Sequence, residues 1–318
     1  MTSLLLNRDV VKNLLEMKEV IMAVEDAFKA WEQGKASMPS KSYLVVAQGD
    51  FRAMPAAIPG AVAMKWVNVH PQNPARGLPT VMAILIYNDP ETGYPLAIMD
   101  ATDITAYRTG ATAAIAARYL ARQDATTLGI IGAGRQAYTQ ILAHAELFDL
   151  KSIRVFDRSK VNGERLINSL PGYPLKGCDI EEAAASDIVC TLTPSRLPVL
   201  KKEWVRPGTH INAIGADAAG KEELEPALLK EARVVVDDLK QASAAGEINV
   251  PISRGFFAID EVYATLGEIV AGKKVGRTGK DEITIFDSTG VAIEDVATAK
   301  LVYEKAVQAG SYTVIDII

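Results

Sequence analysis

The sequence predicts an α/β protein in which a doubly wound parallel-sheet domain is joined to a smaller α+β domain. Three observations predict it. From "DITAYRTGATAAIAARYLA" onward, strand-like runs ("TLGIIGA", "SIRVFDR", "SDIVCTLTP", "THINAIGA", "RVVVDDL") alternate with helical ones ("AYTQILAHAELF", "NGERLINSL", "EELEPALLKEA"). Before that point several strand-like runs follow one another without helices between them, the mark of an antiparallel or mixed sheet. Between the apolar run and the helical run of "LGIIGAGRQAYTQ" lies a Gly-x-Gly-x-x-Ala turn. A chain of 318 residues accommodates two such domains. We expect 1–115 with 296–318 to form the first and 116–295 the second.

The elements follow in order. In "MKEVIMAVEDAFKAWEQGKA" Val20, Val24, Ala27, Phe28 and Trp31 share one helical face, with Gly34 where a C-terminal cap belongs. Strands are then expected over 41–48, 61–69, 80–88 and 95–101, separated by the Pro/Gly punctuation of "MPAAIPG", "HPQNPARGLP" and the hairpin turn "NDPETGYP". The tail "STGVAIEDVATAKLVYEKAVQAG" reads as a long amphipathic helix that returns to the first domain.

The glycine turn carries chemistry. Gly132, Gly134 and Ala137 fill the three small-residue positions of a Rossmann-type dinucleotide fingerprint. The first allows the tight turn, the second lets backbone N–H groups approach a pyrophosphate, and the third lets helix and strand pack closely. The next strand ends at Asp157, where a carboxylate accepts hydrogen bonds from the adenosine ribose hydroxyls. A carboxylate there repels a 2′-phosphate and favours NAD over NADP. Arg158, its neighbour, offsets part of that repulsion and keeps NADP open as the lesser cofactor.

Composition narrows the class. A formal net charge of -5 argues against a general nucleic-acid binder. No apolar run is long enough to span a bilayer, and early charges in "MTSLLLNRDVVKNLLEMKEV" speak against a signal peptide, so the expected compartment is the cytoplasm. Cys178 and Cys190 form neither a disulfide framework nor a zinc spacing, and Cys190 sits in a strand-like run as a buried thiol. His70, His144 and His210 are scattered, and no metal site is expected.

Several polar residues stand out. Lys41 in "MPSKSY", Arg52 in "FRAMPA" and Arg108 in "TAYRTGA" are candidate cations for a small carboxylate substrate. Lys65 is flanked by Ala63, Met64, Trp66 and Val67. Burial in such a strand lowers an amine's pKa towards acid–base duty. Asp217 in "NAIGADAAGKEEL" follows a strand at the edge where doubly wound sheets bind ligands, with Lys221 in the same loop. Ser288 and Thr289 precede a helix, to cap it or to bind nicotinamide or substrate, and Thr80 is a further hydroxyl for the nicotinamide.

Together "KWVN", "GLPTVMA", "MDATDITAYRTGATAAIAARYLAR", "GAGRQA", "GTHINAIGAD" and "EITIFDSTG" resemble the ornithine cyclodeaminase/mu-crystallin family over essentially the whole chain. "RAMPA", "HPQNPARGLPTVMA" and "GADAAGKEEL" resemble its branch of archaeal-type, NAD-dependent alanine dehydrogenases. The resemblance implies a homodimer joined through the first domain's sheet, and an active site in the cleft between the domains. It implies a substrate carboxylate held at Lys41, Lys65 and Arg108, with Arg52 and Thr289 beside it. It makes Asp217 the catalytic carboxylate, with Lys65 the other candidate for moving protons. Arg108, Arg135, Gln136, Asp157, Thr193, the turn of Ala213, Ile214 and Gly215, Lys221 and Ser288 match cofactor-contacting positions. The expected activity is oxidative deamination of a small amino acid such as L-alanine to its keto acid. Ornithine cyclodeamination and cyclic ketimine reduction are the alternatives, and a non-catalytic carrier the outlier. Arg52 stands where a cyclodeaminase would need an acid for the distal amine of ornithine, which favours a short, uncharged side chain.

Overall fold

The computed structural model describes residues 2–317. Its strands, in chain order, are β1 (Ser3–Leu6), β2 (Ser42–Val46), β3 (Gly49–Ile58), β4 (Ala61–Val69), β5 (Val81–Asn88), β6 (Pro95–Asp100), β7 (Thr127–Ile131) and β8 (Ser152–Phe156). They continue as β9 (Leu175–Gly177), β10 (Ile188–Thr191), β11 (His210–Ala213), β12 (Arg233–Val236), β13 (Ala264–Thr265), β14 (Thr284–Asp287) and β15 (Thr313–Ile315). The chain divides into two compact units. One holds residues up to Arg108 together with those from Val291 onward, and the other is Thr109–Gly290.

The first unit is a mixed sheet in the order β15-β1-β6-β5-β4-β3-β2. β2 to β6 pair antiparallel with their sequence neighbours, β1 lies parallel to β6, and β15 antiparallel to β1. The "NDPETGYP" hairpin forms as expected: Asp89 N–H donates to Tyr94, and Gly93 takes a φ of 75°. The helix Met17–Glu32 buries Val20, Val24, Ala27 and Phe28, and Gly34 follows it at a φ of 71°. With the C-terminal helix Ala292–Ala309 it covers one face of the sheet.

Two expectations need correction here. "MPAAIPG" is not punctuation, since most of it lies in β3 despite Pro55. On one flank of β3 the pairing runs from Ala53 with Ser42 to Ala57 with Ser37 and skips Pro55, so its missing N–H interrupts no ladder there. Nor do Ser288 or Thr289 cap the last helix. Its N-cap is Val291, and the Ala292 N–H is directed at Met38 Sδ, 2.9 Å away.

The second unit is a wholly parallel sheet, β13-β12-β14-β11-β10-β7-β8-β9. The chain runs outward from β7 through β8 and β9, then returns to β10 on the other side of β7. That reversal is the switch point where such sheets bind ligands. Leu128, Ile130, Val189 and Ile211 are fully buried, as strands covered on both faces require. "EELEPALLKEA" is helical only over Pro226–Glu231, and the acidic residues before it run extended into the interior.

Close approach explains one glycine in β7. A Cβ on Gly129 would lie 2.1 Å from the carbonyl oxygen of Ala183, whereas one on Gly177 in β9 would meet only Ile167 Cδ1 at 3.8 Å. Gly129→Ala is therefore expected to lower stability by about 2 kcal/mol or more, as overpacking does. Gly177→Ala should leave the urea midpoint nearly unchanged, and paired urea melts check both.

Candidate active site

In the first unit the site begins with strand alternation. Arg52 and Met54 on β3, and Lys65 and Val67 on β4, face the helix-covered side of the sheet. Lys65 pairs with Met54 and Arg52 with Val67, so the two cations are diagonal neighbours. Tyr43 of β2 pairs with Arg52, whose guanidinium lies 5.3 Å from the Tyr43 ring centroid. Lys41 directly precedes β2.

Lys65 is 1% exposed, and its Nζ lies 2.7 Å from Asp295. Asp295 Oδ1 also accepts from Arg108 Nε at 3.1 Å, and Arg108 Nη1 donates to Glu294 at 2.5 Å. All four charges are buried. Burial pushes the Lys65 amine down from its ordinary 10.5 to about 7, and the Arg108 charge adds to the fall. Asp295 and Glu294 oppose it. Lys65 is thus poised to exchange a proton near neutral pH. Arg52 is compensated by Asp50, with Nε to Oδ1 at 2.6 Å. The residue expected to repel a distal ammonium therefore carries its own counter-ion. Thr80 directly precedes β5, its carbonyl accepting from His70 N–H at 2.8 Å.

In the second unit the glycine turn follows β7. Gly132 has a φ of 104°, and a Cβ there would lie 3.1 Å from Thr193 Cγ2. Gly134 is the N-cap of the helix Arg135–Leu147, and a Cβ on it would meet no atom within 4 Å. This open cradle at a helix N-terminus, where backbone N–H groups lack intrahelical partners, fits a dinucleotide pyrophosphate. Asp157 directly follows β8. Its carboxylate accepts from Ala133 N–H and Ser159 N–H, both at 2.7 Å, which fixes it beside the turn while lone pairs remain for ribose hydroxyls. Arg135 and Arg158 are exposed nearby in sequence.

The other predicted positions cluster at the carboxyl ends of β10, β11 and β14. Ile214 N–H donates to Thr191, and Ser288 N–H to Ala213, at 3.0 Å each. Asp217 lies in the loop after β11, ion-paired with Lys221, whose Nζ also reaches Gly215 O at 3.4 Å. Thr289 is held by Asp237, its hydroxyl 3.0 Å from Oδ1. His144 and His210 are fully buried, burial lowering them to about 4 and about 3. Each bonds to Asn212, and both are neutral at physiological pH. Among the described residues no cluster of His, Cys, Asp and Glu has the geometry of a metal site, and no helix is long and apolar enough to cross a membrane.

Sequence reasoning missed Asp295 and Glu294. The available signal was an "ED" pair set in "GVAIEDVATA", charges on a face that should have been apolar. It also missed Glu223, fully buried, and Asp50.

The fold and the glycine turn define a two-unit protein of the dinucleotide-binding class, with a buried, ion-paired lysine in the non-Rossmann unit. The chain belongs to the ornithine cyclodeaminase/mu-crystallin family, whose pattern matches residues 1–310. It is 51% identical over 308 residues to an alanine dehydrogenase of Archaeoglobus fulgidus, covering 96% of each chain. An archaeal alanine dehydrogenase dimer solved with bound NAD superposes with a TM-score of 0.98 at 49% identity over 100% of both chains. The Delta(1)-pyrroline-2-carboxylate reductase of Thermococcus litoralis, solved with NADH and L-proline, gives 0.95 at 40% identity over 98% of this chain and 100% of its own.

The Lys65 shift has a consequence for folding. Between about 7 and 10.5 the unfolded chain holds a proton on this amine that the folded chain has lost. The contribution of Lys65 to stability therefore rises with pH across that window, and its full cost is present below it. Urea melts from pH 6 to 10 should show that rise in the wild type and its loss in Lys65→Met.

Proposed function

We propose that the chain is an NAD-dependent oxidoreductase that catalyses the reversible oxidative deamination of a small L-amino acid, L-alanine to pyruvate and ammonia. The observation that carries the reading is the buried Lys65, lowered to about 7, on the same sheet face as Arg52 and tied through Asp295 to Arg108. The likeness to alanine dehydrogenases extends over both units and supports the choice of substrate.

The first unit supplies the grip on the amino acid. Arg108, Arg52 and Lys41 attract its carboxylate and fix the orientation of Cα. Lys65 in its neutral form takes the proton from the substrate ammonium, freeing the lone pair that assists hydride loss from Cα. NAD, held by Gly132, Gly134 and Asp157 when bound, supplies the hydride acceptor. Water then adds to the substrate imine and ammonia leaves, with Asp217 or Lys65 carrying the protons. The overall balance is L-alanine, NAD⁺ and water to pyruvate, ammonium, NADH and a proton.

Reduction of a cyclic ketimine is the second reading. It is favoured by the Asp50 partner of Arg52, which lessens the bias against larger or charged side chains, and by the likeness to the pyrroline-carboxylate reductase. A homodimer belongs to the same proposal. The sheet face opposite Lys65 carries Trp66, Met82 and the half-exposed Ile84, and every residue of the edge strand β2 is exposed. A cytoplasmic location, with its free NAD pool, completes the reading.

Absorbance at the NADH band tests it. NADH is expected to accumulate with NAD and L-alanine and not with L-ornithine. Proline formed from ornithine without net NADH would replace this reading by cyclodeamination. NADH consumed only with cyclic imines would replace it by the reductase. For deamination, kcat/KM should rise with pH through about 7 as Lys65 loses its proton. Because Asp295 holds that pKa up, Asp295→Asn should move the rise to lower pH.

A further inference from the structure

We propose that Glu223 is a positioning residue for the cofactor, its buried carboxylate tying together the two loops at the carboxyl ends of β10 and β11 and acting on the dinucleotide only through them. The proposal rests on the dinucleotide reading given above.

Four donors converge on this carboxylate. Oε1 accepts from Thr193 N–H at 2.6 Å and from the Thr193 hydroxyl at 2.7 Å, and Oε2 accepts from the Thr191 hydroxyl and Gly215 N–H at 2.8 Å each. Thr191 ends β10, Thr193 is the second residue of the loop after it, and Gly215 lies in the turn after β11. Two of the donors are backbone N–H groups, which cannot turn away, so the side chain must offer acceptors at both oxygens. A glutamine in its place would turn an NH₂ group towards at least one of them.

The brace reaches the glycine turn directly. The room around Gly132 is bounded by Leu192 and Thr193, with a Cβ there only 3.1 Å from atoms of each. Space at Gly215 is as tight, since its Cβ would fall 2.1 Å from Thr193 O and 2.6 Å from Glu223 Oε2. The glycine turn, the loop after β10 and the turn after β11 therefore share one reference point, the Glu223 carboxyl group.

Glu223 is itself held from behind. The Glu247 carboxylate accepts from Glu223 N–H at 2.9 Å and Leu224 N–H at 2.7 Å, and Gly246 N–H and Ala242 O anchor the turn that carries it. A carboxylate that served packing alone would have no need of partners drawn only from the ligand-binding edge. The neighbouring Leu224 side chain does serve packing, in the core with Leu200, Leu228 and Ile211.

NADH fluorescence titration of the full-length protein separates the two roles. Glu223→Gln is expected to weaken NADH about tenfold or more, with the KM for L-alanine at saturating NAD within about twofold of wild type. Leu224→Ala, a cavity variant in the same segment, should lower the thermal midpoint yet leave the NADH affinity within about twofold. Thr191→Val, which removes one of the four bonds, should weaken NADH by a smaller factor and remains informative if Glu223→Gln does not fold. Wild-type affinity in Glu223→Gln or in Thr191→Val would overturn the proposal. So would losses of affinity in Glu223→Gln and Leu224→Ala that simply track their thermal midpoints. Failure of the wild type to bind NADH would instead overturn the dinucleotide reading, and the proposal with it.

Discussion

The first unit is organised around the burial of one ammonium group. An amine at the Lys65 position cannot stay charged in an apolar sheet without a partner, and its ordinary remedy is neutralisation. Asp295 supplies the partner but shares an oxygen with Arg108, so Lys65 is stabilised only in part and remains able to lose its proton. Glu294 takes the other side of Arg108 and keeps the four groups balanced. Removing one member of such a set strands the others, with penalties of about 3–5 kcal/mol in comparable buried pairs. The last helix must therefore return to the sheet that carries Lys65, and its first turn must be set to place two acidic side chains inward.

The second unit handles charge differently. Asp157 accepts from two backbone N–H groups, and Glu223 from two backbone N–H groups and two threonine hydroxyls, so hydrogen-bond donors rather than cations fix both. Its two histidines are locked neutral around Asn212 and join β10, β11 and the cradle helix through a polar seam. The two groups proposed above to carry protons, Lys65 and Asp217, differ in setting. One is buried and paired with an acid, the other partly exposed and paired with Lys221.

The polar groups of the two units were unequally legible in the sequence. The cradle was plain because its requirements are local: Gly132 needs a positive φ, Gly134 needs open space, and Asp157 directly follows the next strand. Lys65 was visible through its apolar flanks on a strand whose bounds the residues mark well. Asp295 was not, because its role depends on a partner 230 residues away, and no local pattern encodes that distance. Glu223 was hidden by a run of helix-forming residues that the interior holds extended until Pro226. Pro55 concealed β3 for a related reason: a proline breaks a strand only if its flank is paired, and pairing is not written locally. With β3 concealed, neither the shared face of Arg52 and Lys65 nor Asp50 as the partner of Arg52 could be read from the residues.

The first unit is assembled from both ends of the chain, and this gives its completion an order in time. Synthesis proceeds from the N-terminus at roughly 5–20 residues per second. The strand bearing Lys65 thus leaves the ribosome well before the helix bearing Asp295. Until that helix arrives, the lysine has no counter-ion and the sheet lacks one of its two covering helices, so its helix-facing surface stays wet. β1 waits still longer for β15. A nascent chain can finish its nucleotide-binding unit while the sheet that carries Lys65 is still open, and a message truncated before Asp295 would yield a cradle beside a lysine without its carboxylate partner.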